Sequence, residues 1–321
     1  MMKQLNSLGY TSYSVLVLLV VMSNIACKSI AWRILMESNT LHAPTFVSIC
    51  FINNNHGWAA STSQILETTD GGQHWSEQQI GNNATFYTMK FIDNSNGWIL
   101  GAYQKNDNYS PIIFKTMNAG RSWQPIPITN VNKLVDFAFY NSDLGWAVGA
   151  NSIVCTKDGG NTWEIQYQGV TGETILSVSC SDSEHIWAVG SNELILTTED
   201  GGKNWKRIDI DLTDALLRVH YFNNSVWILG LNGVVAQLNI SNKKWQFHSL
   251  DFKKALTDVY FKNNQGWIVG EEGAIFYSTD QGNTWKKQPS LTNSNLLCLF
   301  FVDSQHGWAG GERNTLLHYS N

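Results

Sequence analysis

Apolar residues along this chain fall into short runs, cut at regular intervals by clusters of Gly, Asn, Asp and Ser, and no stretch sustains a helical period. One representative stretch reads as four strands, Leu256–Phe261, Trp267–Gly270, Ala274–Ser278 and Trp285–Lys287, with turn residues between them. The same order returns along the chain, and tryptophan marks it. One set is Trp58, Trp98, Trp146, Trp187, Trp227, Trp267 and Trp308, spaced by 40, 48, 41, 40, 40 and 41 residues. Most members sit in a Gly-Trp-apolar-apolar-Gly run such as Gly145-Trp146-Ala147-Val148-Gly149. A second set, Trp75, Trp123, Trp163, Trp205, Trp245 and Trp285, follows 17 or 18 residues behind the first except in repeat two. Only Trp32 is left over. It precedes Trp58 by 26 residues, much as Trp75 precedes Trp98 by 23, so it reads as the second tryptophan of the last repeat, moved to the N-terminus.

A period of about 40 residues holding four strands is a β-propeller blade. The predicted fold is therefore all-β: a seven-bladed β-propeller of four-stranded blades, one domain over residues 28–321. An N-terminal strand around Trp32 completes the last blade and closes the ring, which leaves no sheet open for edge pairing.

Composition narrows the function classes. With 15% charged residues, 12% aromatics and a formal net charge of -5, the chain is neither a disordered segment nor a coiled coil. The charge also gives no attraction to nucleic acid or to acidic membranes. All 14 tryptophans are absorbed by the repeat lattice, so they do not form an aromatic binding platform.

Residues 1–26 read as an export leader, with Lys3 as the positive start and Val15–Met22 as the apolar segment, too short to span a bilayer. Ser23-Asn24-Ile25-Ala26-Cys27 resembles a bacterial lipobox, although Asn24 stands where Leu is usual. Acylated Cys27 would be the only membrane contact; ordinary cleavage nearby would leave it a stray thiol. The expected location is outside the cytoplasm, in the periplasm, the cell envelope or a thylakoid lumen. Cys50, Cys155, Cys180 and Cys298 have neither metal-ligand nor redox spacing. They read as buried thiols, with Cys155–Cys180 the one pair worth considering as a disulfide.

A turn motif, Ser/Thr-x-Asp-x-Gly-x-Thr-Trp, precedes the outer strands. Ser278–Trp285 matches it throughout, and related segments contain Asp70, Asp158 and Asp200, with Asn118 in repeat two and loss of the motif in repeat five. Asp, together with Asp280 in the full match, is placed to accept backbone N–H groups of its own turn, and Gly permits positive φ. The boxes lie on different blades and their carboxylates cannot converge, so no metal and no cofactor is expected.

With these repeats in view, the chain resembles the Asp-box (bacterial neuraminidase repeat) propellers. Within them it is most similar to the photosystem II stability/assembly factor branch and its relatives in non-photosynthetic bacteria. The likeness runs from Trp32 to Tyr319 and rests on His56-Gly57-Trp58, Leu66–Gly72 and Gly266–Gly270. It implies a non-enzymatic, often lipidated assembly factor that binds a newly made membrane-complex subunit through an Arg-rich patch. Positions of that patch correspond here to Arg218, Lys253 and Lys254, two of them lysines without the bidentate fork of arginine.

Candidate partner contacts are Tyr103, Lys105 and Tyr109, in an eight-residue insertion of repeat two read as a loop, together with Arg218, Lys253 and Lys254. Tyrosines offer contact area at low entropic cost; the alternative is a tolerated surface insertion beside solvated lysines. Aligning first strands puts Ser48, Thr88, Asp136, Ser177, Arg218, Asp258 and Cys298 in one column, so Arg218 and Asp258 also read as an interblade ion pair. The expected role is a monomeric, non-catalytic protein-binding scaffold. The alternative is a sialidase-like or other carbohydrate-active or glycan-binding propeller, for which Arg33 in Trp32-Arg33-Ile34-Leu35 is the nearest motif match.

Overall fold

The computed structural model describes residues 32–38, 40, 43–80, 83–105, 108–212 and 214–320. The proposed leader and Cys27 lie outside the described residues. Seven four-stranded antiparallel sheets follow one another as blades, each running in chain order from an inner to an outer strand. In the first blade these strands are Phe46–Phe51, Gly57–Ser61, Ile65–Thr68 and Ser76–Gln78. The last blade takes Leu296–Phe301, His306–Gly311 and Leu316–Ser320 from the C-terminal end, and its outer strand is Trp32–Met36. Inner strands of successive blades touch all the way round, including the last against the first.

Register confirms the permuted closure. Trp32 pairs with Tyr319, which faces Gly307. In blade one, Thr68 faces Gly57, and Ser76 pairs with Glu67, which puts Trp75 opposite Thr68. Trp32 thus occupies the lattice point of Trp75. With no hairpin to turn at this point, Tyr319 stands where five other blades have a Ser or Thr and blade five has Leu238. Trp32 packs edge-on against Phe301 and Tyr319 at 5.9 and 5.2 Å and is buried, whereas the other outer tryptophans are half-buried.

The Gly that precedes five of the seven second-strand tryptophans has a packing cause. In five blades it lies directly opposite an inner-strand phenylalanine, as in the pairs Phe51–Gly57, Phe91–Gly97 and Phe139–Gly145. That ring lies across the glycine and stacks on the tryptophan of the preceding blade: Phe51 on Trp308 at 3.5 Å, Phe139 on Trp98 at 3.9 Å and Phe301 on Trp267 at 3.7 Å. A Cβ on Gly145 would stand 2.6 Å from the Phe139 ring. In blades four and five the pairs become Cys180–Ile186 and Tyr221–Val226, so a side chain appears where the phenylalanine is gone. Gly145→Ile should therefore destabilise the fold by about 1–3 kcal/mol through overpacking. Combined with Phe139→Cys, it should lose less than the sum of the single changes by at least about 1 kcal/mol. Urea unfolding of the four proteins measures this, and additive losses would refute the coupling.

Each Asp box closes its own turn. Asp70 Oδ1 accepts the His74 N–H at 2.9 Å, and the same bond recurs from Thr162 to Asp158, Asn204 to Asp200 and Thr284 to Asp280. Asn118 accepts from the Ser122 N–H at 3.0 Å. The preceding hydroxyl caps the glycine N–H four residues on, as Thr68 does for Gly72. The boxes also serve the preceding blade: the Trp98 indole donates to Gly159 O at 3.0 Å and Trp308 to Gly71 O at 3.3 Å. Blade five has lost its box and blade seven has no hairpin there. The indoles that would use them, Trp187 and Trp267, are buried without a partner, as is Trp58, although blade two keeps its box.

All four described cysteines are free thiols, as read from the sequence, three of them buried; Cys155 and Cys180, on a third strand and on the next blade's inner strand, form no disulfide. One expectation is corrected. The repeat-two insertion is not a loop. It lengthens the hairpin, with Gly97–Lys105 paired to Asn108–Thr116 and Tyr103 opposite Ser110.

Candidate functional site

The inner strands present one edge to the central channel, and the residues that serve that edge are positioned by a bulge. Six of them shift register by one residue at the same height, as between Phe46 and Ser48 or Leu216 and Arg218. A bulge re-aims the side chain that follows it. The following residues, Ser48, Thr88, Ser177, Arg218, Asp258 and Cys298, form a ring with Asp136 of blade three. Each pairs with the residue two positions after its blade's second-strand tryptophan, for example Arg218 with Leu229 and Asp258 with Val269.

The ring satisfies N–H groups that the sheet edge would otherwise leave unpaired. Ser48 Oγ accepts from Met89 N at 3.0 Å, Asp136 Oδ2 from Val178 N at 3.1 Å, Ser177 Oγ from Val219 N at 3.3 Å and Asp258 Oδ2 from Leu299 N at 2.8 Å. Every one of these bonds links a blade to its successor. Short polar side chains at this height are thus interblade fasteners.

Charge is superimposed on that ring. Arg218 Nε donates to Asp258 Oδ1 at 2.7 Å, and its Nη1 lies 3.5 Å from Asp136 Oδ2 across the intervening blade. Lys90 Nζ lies 3.4 Å from Asp136 Oδ1 and donates to Phe137 O at 2.5 Å. Two cations and two carboxylates from blades two, three, five and six therefore form one network. Burial opposes ionisation of Asp136, but Lys90 and Arg218 outweigh it and hold the carboxyl below its usual range. Burial likewise opposes the charge on Arg218, and Asp258 and Asp136 keep it fully protonated.

The residues proposed for partner contact do not gather at one place. Arg218 is drawn into the channel network. Lys254 is bonded to Glu272, which raises its pKa, while Lys253 is exposed in the connection between blades five and six. Tyr103 and Tyr109 belong to the lengthened hairpin of blade two, on the opposite side of the ring from that connection. Lys105 pairs its backbone with Asn108 at the hairpin tip. Beside the hairpin, Lys133 Nζ lies 5.1 Å from the Tyr109 ring centroid, a contact that the sequence reading missed. The lattice could have found it, because Lys133 lies in the connection that follows the inserted hairpin. Tyr109 also contributes, after burial, to raising the Tyr87 pKa, so three sequence-distant groups meet at this corner.

No arginine triad converges among the described residues. Arg33 lies on the outermost strand against His318 at 3.2 Å, Arg121 in the blade-two box, Arg207 on an outer strand and Arg313 in a hairpin of the last blade. No group of three metal-ligating side chains is present among the described residues either.

The sequence model of the family described as Photosynthesis system II assembly factor YCF48 matches residues 26–132, 117–213, 166–255 and 217–320, and the chain belongs to that family. No curated protein sequence matches it. Among solved structures it is similar to one titled "YCF48 bound to D1 peptide", with 24% identity and a TM-score of 0.74 over 91% of this chain and 97% of that one. YCF48 from Cyanidioschyzon merolae aligns at 21% identity and a TM-score of 0.71 over 90% and 98% of the two chains. The GH74 enzyme of Niastella koreensis aligns at 14% identity and a TM-score of 0.71, over 88% of this chain and 53% of its own. At these identities the structural likenesses show the fold.

Proposed function

We propose that the chain is an exported, lipid-anchored, monomeric propeller that binds a protein client and assists its assembly without catalysing a reaction. Membership of the assembly-factor family along the propeller carries this reading. The relative whose structure is titled as bound to a D1 peptide supports a peptide segment of a membrane-complex subunit as the kind of client. Residues 1–26 would direct export and Cys27 would carry the lipid. The carboxylates of the channel network are committed to Lys90 and Arg218, which favours a scaffold over acid–base chemistry.

The docking face is the one bearing the blade connections and the lengthened hairpin, and its anchor is that hairpin's tip, with Tyr109 and Lys133 on one face of the sheet and Tyr103 on the other. Tyr103 is 37% exposed, Tyr109 lies beside the Lys133 cation, and tyrosine is enriched among the residues that dominate interface energies. Lys253 is a peripheral contact of the same face. A photo-crosslinking amino acid at position 103 should capture the client, and Tyr103→Ala with Tyr109→Ala should weaken its binding at least about tenfold. Lys253→Glu with Lys254→Glu should change affinity less. Unchanged binding by the tyrosine variant would remove this hairpin tip from the interface.

A further inference from the structure

The channel holds a cavity of ≈ 320 Å³ lined by the fastening ring and by the next inner-strand residues, within the size range of small-ligand sites. Its wall at one height is set by the residues opposite each second-strand tryptophan. Lys90 faces Trp98, Ser179 faces Trp187, His220 faces Trp227 and Tyr260 faces Trp267. The remaining positions at that height are Cys50, Ala138 and Phe300. In ring order these positions run Cys50, Lys90, Ala138, Ser179, His220, Tyr260 and Phe300, so a polar arc from Ser179 to Tyr260 faces an arc that is apolar except for Lys90.

The polar side has more donors than the protein can use. Among the described residues neither the His220 imidazole nor the Tyr260 hydroxyl has a hydrogen-bond partner, and both side chains are half-buried on the channel wall. Lys90 has three N–H bonds and uses one on Phe137 O and one toward Asp136. The acceptors nearby are already engaged: Asp136 takes Phe137 N, Ser177 Oγ and Val178 N, and Asp258 takes Arg218, Val259 N and Leu299 N. Donors that line one cavity without protein acceptors are complemented by an anionic acceptor, which makes the shorter, stronger charge-assisted bonds.

We propose that this chamber binds a small organic anion, a monocarboxylate with an apolar body. Its carboxylate faces His220 and Tyr260, with the Lys90 ammonium reaching it from between Cys50 and Ala138, and its body rests against Cys50 and Phe300. The local field agrees with this polarity. Burial, then Arg218, then Lys90 push the His220 pKa down to about 3, with no carboxylate opposing them. The apolar wall stays uncharged, because burial pushes the Cys50 thiol up to about 12.

Titration calorimetry of the purified full chain with benzoate, benzamide and inorganic phosphate tests the site. Benzoate should bind with a stoichiometry of one and at least about tenfold more tightly than its neutral amide. Tyr260→Phe and His220→Gln, both checked for native folding by near-UV circular dichroism, should each weaken benzoate binding severalfold. Equal binding of benzamide, binding of phosphate in place of benzoate, or no binding by the folded chain overturns the proposal. So does undiminished binding by both folded variants.

Discussion

Asp258→Ala is expected to destabilise the propeller by about 3–5 kcal/mol in urea unfolding, toward the lower end because the Arg218 side chain is 22% exposed. The change removes three things together. Arg218 loses its 2.7 Å partner and keeps a largely buried charge, Leu299 N–H loses its acceptor at the blade six to seven junction, and Val259 N–H loses its local one. A domain has only about 5–15 kcal/mol of stability in all, so the loss should be visible as a large shift in midpoint. Adding Arg218→Met should recover part of it, because the orphaned charge goes with the arginine. A double variant no more stable than Asp258→Ala would show that the N–H acceptor, not the ion pair, carries the effect.

The second large effect lies at the closure. Trp32→Ala should cost about 3–5 kcal/mol, the range for a fully buried aromatic, and more than Trp245→Ala, where the indole is only half-buried. Trp32 loses edge contacts with Phe301 and Tyr319 and the 3.0 Å bond from its indole to Gln288 of the neighbouring blade. Removing Trp32–Met36 altogether goes further. It uncovers the Leu316–Ser320 edge, a template for pairing with another chain. Such a chain should unfold with lower cooperativity and self-associate, as size-exclusion chromatography would report. A cooperative, monomeric truncated protein would contradict the role of this strand as the closing element.

Acid should weaken the fold before its carboxylates titrate. An unfolded histidine titrates near 6.5, whereas burial beside Arg218 and Lys90 puts His220 at about 3 and burial beside Arg33 puts His318 at about 4. As pH falls from 6.5 toward 3, the unfolded chain binds protons that the folded chain does not, so stability declines through that window. Asp136, held below the usual carboxylate range, adds its loss only at the acid end. His220→Phe should flatten the slope of unfolding free energy against pH; an unchanged slope would show that His220 charges freely in the fold.

The blade structure was legible because its causes are local and repeated. The Trp spacing, the glycine beside most second-strand tryptophans and the Asp turns each act over a few residues, and they recur often enough to reveal even a permuted member. The phenylalanine opposite the glycine was equally readable, since Cys180 with Ile186 and Tyr221 with Val226 vary together in the chain itself. The first-strand column was also visible, and with it the nearness of Arg218 to Asp258. The third member was not: Asp136 reaches Arg218 from two blades away, across the channel.

The sequence by itself determined seven blades, their closure at Trp32 and the turn role of each Asp box, since a 40-residue period leaves little choice of partner for any strand. The tertiary structure alone decided which polar groups meet. Contacts across the bore depend on how far the closed ring brings opposite walls together, a distance that no spacing along the chain encodes. Ring closure separates Tyr109 from Lys253 and joins it to Lys133, sets Lys90 and His220 on one chamber, and turns Arg218 from a surface candidate into the centre of a buried network.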